Sequence, residues 1–498
     1  MRAKRRGEGR KKMVGISSFG GYVPRYRLNR MIVFASMGWL NPVIITNARG
    51  EKAVANFDED SITMAVAAGM DCLKGMDRGS VEAVYFASTT APYKERQNAN
   101  IVAGALGCRD EIRSADFGGS LKAGTSALLS GLEFAAANQG SKAVICAADC
   151  RLGKMASMQE MVFGDGGAAF MVGSEEVIAE YKGSFSVSHD FVDHLRGSNT
   201  KYDRMWEERW IRDVGYASFI PQAVNGLCGK YGLNPSDFDR IVYPCYYGGA
   251  RKKINGLLQV EAEKVQDDML GTVGDTGAAH PLLMLAAALE TAQPGQKILL
   301  VSYGSGCDAL WFEVTENITK AQDGRGVSHW LARRAELDNY QKYLVWRGMA
   351  PPELGIRGET DKETRWSLIW REHKAVLGLV GSKCKACGTQ QFPPTRVCAN
   401  PECSAVDQSE PVYLADKGGT IFTYTGDMLA ASLNPPAIYG NVSINGGGRT
   451  MMDFTDCTVE DLAVGKAVDF SFRIKFYDPK RDITNYFWKA VPAVEEVK

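Results

Sequence analysis

Two stretches carry residue types and spacings that could do chemistry. Cys384, Cys387, Cys398 and Cys403 follow a C-x2-C-x10-C-x4-C pattern. Two short hairpin turns with that spacing present four thiolates to one ion tetrahedrally, the signature of a structural zinc ribbon. The other stretch is Ser114 to Ser130, SADFGGSLKAGTSALLS. Gly118 and Gly119 allow a sharp turn from strand into helix, and the free N–H groups of a helix N-terminus there suit a developing negative charge. The stretch reads as an oxyanion frame.

The surrounding elements repeat. From Met13 to about Lys182, strand-like and helix-like runs alternate, as in an α/β layered fold: VEAVYFAST, ANIVAGALG, the turn and its helix, then KAVICAADC and FGDGGAAFMVG. Residues 183–317 repeat the plan. The strand FDRIVYPCYY answers VEAVYFAST, the helix in GDTGAAHPLLMLAAALETA answers the one after Leu121, and QKILLVSYGSG answers KAVICAADC. Both helices are apolar nearly all round and so belong inside a core. Their N-termini, at Lys122 and Thr276, are expected to converge.

KAGT after a buried strand resembles the nucleophile turn of the 3-hydroxy-3-methylglutaryl-CoA synthases, the archaeal-type ones above all, within the thiolase superfamily. The match covers Met13 to Met349 and implies a duplicated five-layer αβαβα fold, a coenzyme A thioester as substrate and a homodimer through this part. The resemblance also shows what is missing. Where that family has its nucleophilic cysteine this chain has Leu121; the expected glutamate falls at Thr89, the histidine at Pro244 and the asparagine at Asp275. Polar groups gather in their place: Tyr246, Tyr247, Asp275 and His280, beside the turn Ser302–Gly306 with its Gly304, Ser305 and Gly306. The tyrosines alternate, so at most one faces the cleft while the other packs. His280 reads equally as a site residue or as a packed cap. Ser120 is a substitute nucleophile only if a base adjoins it, and Cys245 and Cys307 read as small buried hydrophobes. His189, Asp190, Asp193 and His194 resemble a metal cluster, but the family's aspartate-rich stretch at this place holds no metal, so they read as a structural or substrate-loop segment.

After residues 318–370, a helical extension and linker, a different module follows. Residues 371–410 hold the ribbon cysteines, and 411–498 are short alternating strands broken by glycine and proline, an OB-type β-barrel. Ribbon plus barrel resembles the zinc-ribbon OB-fold domains that accompany thiolase-like proteins. No basic stripe accompanies the barrel, so an acyl-CoA or docking role is expected rather than nucleic acid.

The 498 residues carry 58 basic and 58 acidic side chains, so no net charge steers the chain toward nucleic acid or a membrane surface. The basic segment 1–12, MRAKRRGEGRKK, reads as a solvated tail. No apolar run approaches the ~20 residues that span a bilayer, and twelve cysteines in this length are too few for a disulfide scaffold. A cytoplasmic protein is expected.

A thiolase-like cleft without its cysteine can still hold a thioester oxygen on backbone N–H groups, here those near Leu121, Lys122, Thr89 and Gly306, and stabilise an enolate. With Tyr246 or Asp275 as base and His280 as orienter, the natural reaction is aldol cleavage or condensation of a 3-hydroxyacyl-CoA. The steroid side-chain aldolases, thiolase-like proteins that lack the cysteine, use a tyrosine and work with a zinc-ribbon OB-fold partner, resemble this chain in that respect. The alternatives are an acyltransferase using Ser120 or a relocated cysteine, and a non-catalytic scaffold.

Overall fold

Runs of apolar residues unbroken by a polar beat become strands buried on both faces. In the computed structural model, which describes residues 13–322, 326–359 and 362–493, such runs supply most strands of two halves of one plan, the partly exposed RSADF and AEYKGSFSVS being exceptions. The basic segment 1–12 lies outside the described residues. The first half consists of β1 (Gly15–Tyr22), β2 (Val81–Ala87), β3 (Arg113–Phe117), β4 (Lys142–Asp149) and β5 (Gly166–Gly173). The second has β6 (Ala179–Ser188), β7 (Arg240–Val242), β8 (Lys297–Tyr303) and β9 (Gly306–Val314). Their order across the sheet is β7-β8-β9-β6-β1-β5-β4-β2-β3. Each half thus runs in the same sequence outward from its own first strand, and β1 meets β6 at the join through two antiparallel pairs. The third strand of the second half shrinks to a single bridge, Ile241 to Val265.

Helix α1 (Ser61–Cys72) lies on the outer face of the first half and α4 (Ala217–Tyr231) on that of the second. Between the halves lie α3 (Ala123–Ala137) and α6 (His280–Glu290), the central layer of five; α2 is Asn98–Ala105 and α5 is Gly248–Leu258. Pro281 opens α6, where its missing N–H costs nothing. Leu282, Leu283, Leu285 and Leu289 are fully buried on it, each contributing about 2 kcal/mol of transfer free energy. Gly124 lets the two helices start side by side, since a Cβ there would stand 2.3 Å from the Ala278 carbonyl oxygen.

The reading of FDRIVYPCYY as one strand is corrected. Pairing stops at Val242, because Pro244 has no N–H for the ladder, and residues 243–247 turn out as a loop. That loop is what brings Tyr246 to the cleft.

Helix α7 (Tyr340–Trp346) packs back on the first half, and residues 366–378 form two short helices ahead of the ribbon. The ribbon pairs β10 (Val380–Cys384) with β11 (Gln390–Gln391) and β12 (Ser409–Tyr413). The barrel contains β13 (Gly419–Asp427), β14 (Ala437–Ile444), β15 (Arg449–Asp453), β16 (Ala467–Asp478) and β17 (Ile483–Pro492), in the order β15-β14-β13-β16-β17. A parallel bridge from Phe454 to Ala490 closes it, giving OB topology.

Body and barrel share a buried charge seam. Arg473 of β16 reaches Glu59 at 2.7 Å, Asp456 at 2.5 Å and Asp58 at 3.3 Å, and Lys489 of β17 reaches Asp58 at 2.9 Å. Burial pushes the Glu59 carboxyl up to about 7; Arg473 pulls it down, while Asp456 and Asp58 add to the rise. Two cations face three carboxylates in this seam, so holding one proton neutralises it. Among the described residues, no helix is long and apolar enough to cross a membrane.

Candidate functional site

The glycine turn and the SYGSG turn face each other across the join. The Ser120 hydroxyl donates to the Gly304 carbonyl at 2.8 Å and accepts from the Lys122 N–H at 3.3 Å. A Cβ on Gly304 would lie 2.7 Å from the Lys122 nitrogen and 2.9 Å from that of Leu121. Glycine is therefore required for one turn to sit on the first N–H groups of α3. Gly306 has φ +117°, and a side chain there would strike the Val187 carbonyl. Ser305 stands at the exposed tip.

Leu121, Tyr216, Cys245, Tyr246, Asp275 and Tyr303 line the narrow cleft above this frame. Asp275 sits at the start of the turn into α6. Its Oδ1 accepts the Gly277 N–H at 2.9 Å and its Oδ2 is 3.0 Å from Nη1 of Arg151. Arg151 also holds Asp203, Nε to Oδ2 at 2.7 Å, and lies 3.9 Å over the Phe163 ring. Burial works against the Arg151 charge, but Asp203 and Asp275 outweigh it and keep the guanidinium protonated. The carboxylate of Asp275 is thus fixed in orientation and matched by a buried cation.

Tyr246 is half-buried, its hydroxyl 3.8 Å from the Met205 sulfur and its ring 4.4 Å from that of Tyr247. Burial, Tyr247 and Asp275 push its phenol well above the ordinary value, against the pull of Arg151. It stays protonated at neutral pH and can donate. Tyr247 packs edge-on against Tyr216 at 5.7 Å and is 9 % exposed.

Several sequence assignments change in this geometry. His280 is no orienter: its Nδ1 accepts the Thr276 N–H at 3.1 Å, its Nε2 donates to the Asp268 carbonyl at 2.8 Å, and it is fully buried. Both ring nitrogens are spent, which fixes a neutral tautomer that caps the turn. Ser120 has its hydroxyl committed to Gly304, and no base adjoins it among the described residues. The Cys245 thiol is pushed up to about 12 by burial and points at the Tyr247 carbonyl; Cys307, raised further by burial and Asp308, is fully buried. Neither is an activated thiolate. Lys122 offers only its backbone, because its ammonium pairs with Asp308 at 3.0 Å.

Thr89 has become part of a clamp. The buried Asp149 carboxylate accepts from Ser88 Oγ, the N–H and hydroxyl of both Thr89 and Thr90, and the Ala278 N–H, all at 2.7–2.9 Å. One carboxylate thereby ties the end of β2 to the turn that carries Asp275. His189 bonds Gln222 and His194 bonds Asp193, and no metal cluster includes them among the described residues.

The four ribbon cysteines do cluster, with all Sγ atoms within 4.8 Å of one another, Cys384 to Cys403 at 3.9 Å and Cys387 to Cys398 at 3.5 Å. Tetrahedral zinc with Zn–S bonds of ~2.3 Å requires sulfurs about 3.8 Å apart. The donor set fits a structural zinc ion.

Sequence reasoning missed Arg151 and Asp203. Neither falls in a motif, and Arg151 finds its partners Asp275 and Asp203 124 and 52 positions away.

A sequence profile described as ChsH2, rubredoxin-like zinc ribbon domain, matches residues 371–407. Hydroxymethylglutaryl-CoA synthase of Pyrococcus horikoshii is 32% identical over 335 residues, 66% of this chain and 94% of that one. The enzyme of the same name from Pyrobaculum aerophilum is 32% identical over 345 residues, 68% of this chain and 98% of that one. Among solved structures, an HMG-CoA synthase complexed with CoA superposes with a TM-score of 0.62 at 18% identity, covering 71% of this chain and 95% of that one. PksG, an HMG-CoA synthase from Bacillus subtilis, gives 0.59 at 20% identity, covering 71% and 96%.

Proposed function

The chain belongs to the hydroxymethylglutaryl-CoA synthase family, and from that premise we propose that it makes or breaks a carbon–carbon bond of an acyl-CoA by aldol chemistry, without an acyl-enzyme. The observation that carries this is the pairing of Leu121, where the family's nucleophile stands, with an Arg151-held Asp275 in the same cleft. Transfer of an acyl group to the protein needs a nucleophile with a base bonded to it; the Ser120 hydroxyl and the Cys245 thiol are instead bonded to the Gly304 and Tyr247 carbonyls, and Cys307 is fully buried.

In the cleavage direction Asp275 accepts the hydroxyl proton of a 3-hydroxyacyl-CoA. The oxygen's electron pair forms the new carbonyl, the bond between the α and β carbons breaks, and its electrons pass into the thioester enolate. N–H groups at Leu121 and Gly306 bear the enolate oxygen. The protonated Tyr246 gives a proton to the α carbon and recovers one from Asp275 or solvent. Products are a shortened acyl-CoA and an aldehyde or ketone; the reverse is condensation.

The ribbon holds one zinc ion through Cys384, Cys387, Cys398 and Cys403, a structural role remote from these steps. The body is proposed to pair with a second copy of itself through β3, which among the described residues is the outermost strand on its side of the sheet.

The test is a panel of 3-hydroxyacyl-CoAs assayed for carbonyl release, with Asp275→Asn alongside. Cleavage that drops ~10²- to 10⁴-fold in the variant supports the reading. An acyl adduct on the wild-type protein in intact mass spectra overturns it.

A further inference from the structure

The barrel carries a second cavity, apart from the cleft. Residues 428–436, joining β13 to β14, and 479–482, joining β16 to β17, wall a space of about 860 Å³ together with β14 and β15. Phe57 and Asp58 of the body, with Leu354 and Arg357 of the connecting segment, close its other side. The volume falls in the range of small-molecule sites, about 300–1,000 Å³. Five-stranded OB barrels take their ligands on this same face, between these same loops.

Its charge is unbalanced toward cations. Arg357, Lys362, Lys475, Lys480 and Lys489 line it against three carboxylates, and each carboxylate is already bonded to a cation. Asp58 holds Lys489 at 2.9 Å, Asp453 holds Lys475 at 2.7 Å, and Asp456 holds the buried Arg473 at 2.5 Å. Arg357 donates to the Leu429 carbonyl, and Lys480 lies 3.9 Å from Glu363 at the surface, a distance at which the pairing is weak. Both side chains are exposed. In the same cavity the Tyr477 ring is 48 % exposed, its hydroxyl tethered to Asp482 at 2.6 Å. A tethered aromatic ring in one cavity with two exposed, weakly engaged cations suits a planar base that carries phosphate.

We propose that this cavity binds a single phosphorylated nucleotide, its phosphates on Arg357 and Lys480 and its base against Tyr477. The nucleotide arrives either as the adenosine bisphosphate end of a coenzyme A ester or as a free molecule. The site stands independently of the aldol reading, since its test reads binding and not bond cleavage.

Calorimetric titration of the full chain with adenosine bisphosphate tests it. One saturable site is expected, weakened at least about tenfold by the double variant Arg357→Ala/Lys480→Ala, and unchanged by Lys230→Ala elsewhere on the surface. If the nucleotide belongs to coenzyme A, an acyl-CoA and the bisphosphate exclude one another, and the double variant weakens acyl-CoA but not acyl-pantetheine. If it is a free molecule, bisphosphate and acyl-CoA bind together; either pattern supports the site. Absence of saturable binding, equal affinity in wild type and double variant, or tighter binding of an oligonucleotide than of the bisphosphate at these residues overturns it.

Discussion

Arg151 and Asp275 meet across the join between the two halves, Nη1 to Oδ2 at 3.0 Å, with side chains 2% and 8% exposed. Without that partner the carboxylate is no longer held in place, so Arg151→Met is expected to lower kcat for cleavage ~10²-fold or more, while Arg151→Lys, which keeps the charge but loses the two-pronged geometry, lowers it less. An unchanged kcat in Arg151→Met would show that the pair plays no part in the reaction.

Tyr246 is the proposed proton donor, and Tyr246→Phe removes the donor while keeping the ring that packs on Tyr247 and Tyr216. The expected outcome is a loss of ~10²-fold or more in kcat, with the melting temperature little changed. Rapid exchange of the α proton that persists in the variant would place the donor elsewhere.

Leu121→Cys returns a thiol to the turn, facing N–H groups already in position. It is expected to accept an acyl group from acyl-CoA, visible as a mass adduct absent from the wild type. Turnover does not follow, because Thr89 and Pro244 stand where the resemblance puts the acid and the histidine. An unlabelled variant at high acyl-CoA would show that the turn no longer presents its side chain to a thioester.

Replacing Cys398 or Cys403 by serine leaves three thiolates, and metal analysis should show loss of about one zinc per chain, with a lower melting temperature. Zinc content equal to that of the wild type would count against the four-cysteine site.

The seam at Glu59 gives a pH dependence with a definite sign. Its carboxyl is raised in the folded chain from an ordinary value near 4.5 to about 7, so the native state binds the proton more tightly than the unfolded one. Stability is then fully present at acidic pH and declines as pH rises through about 5 to 7. Glu59→Gln, which cannot ionise, is expected to flatten that decline in thermal melts.

What the sequence revealed was whatever is local. Four cysteines in one short segment name their own chemistry, and the turn before Lys122 declares both its frame and its missing thiol. Arg151 declared nothing, because its meaning lies in Asp203 and Asp275, brought to it by the folding of irregular segments. His280 misled for a related reason: only the fold reveals that Thr276 and Asp268 have taken both nitrogens. Lys489 on β17 is likewise illegible in the sequence, since a buried lysine breaks the alternation that marks a half-buried strand and only the fold reveals its partner Asp58.

That inward lysine, with Arg473, bears on how the protein is made. Asp58 waits 415 positions for Arg473 and 431 for Lys489. Until the ribosome has delivered both, the early part of the body must keep two carboxylates hydrated that its finished form buries. Synthesis and completion of the body are thereby uncoupled, and a nascent chain halted before the barrel is expected to occupy chaperones rather than to fold to rest.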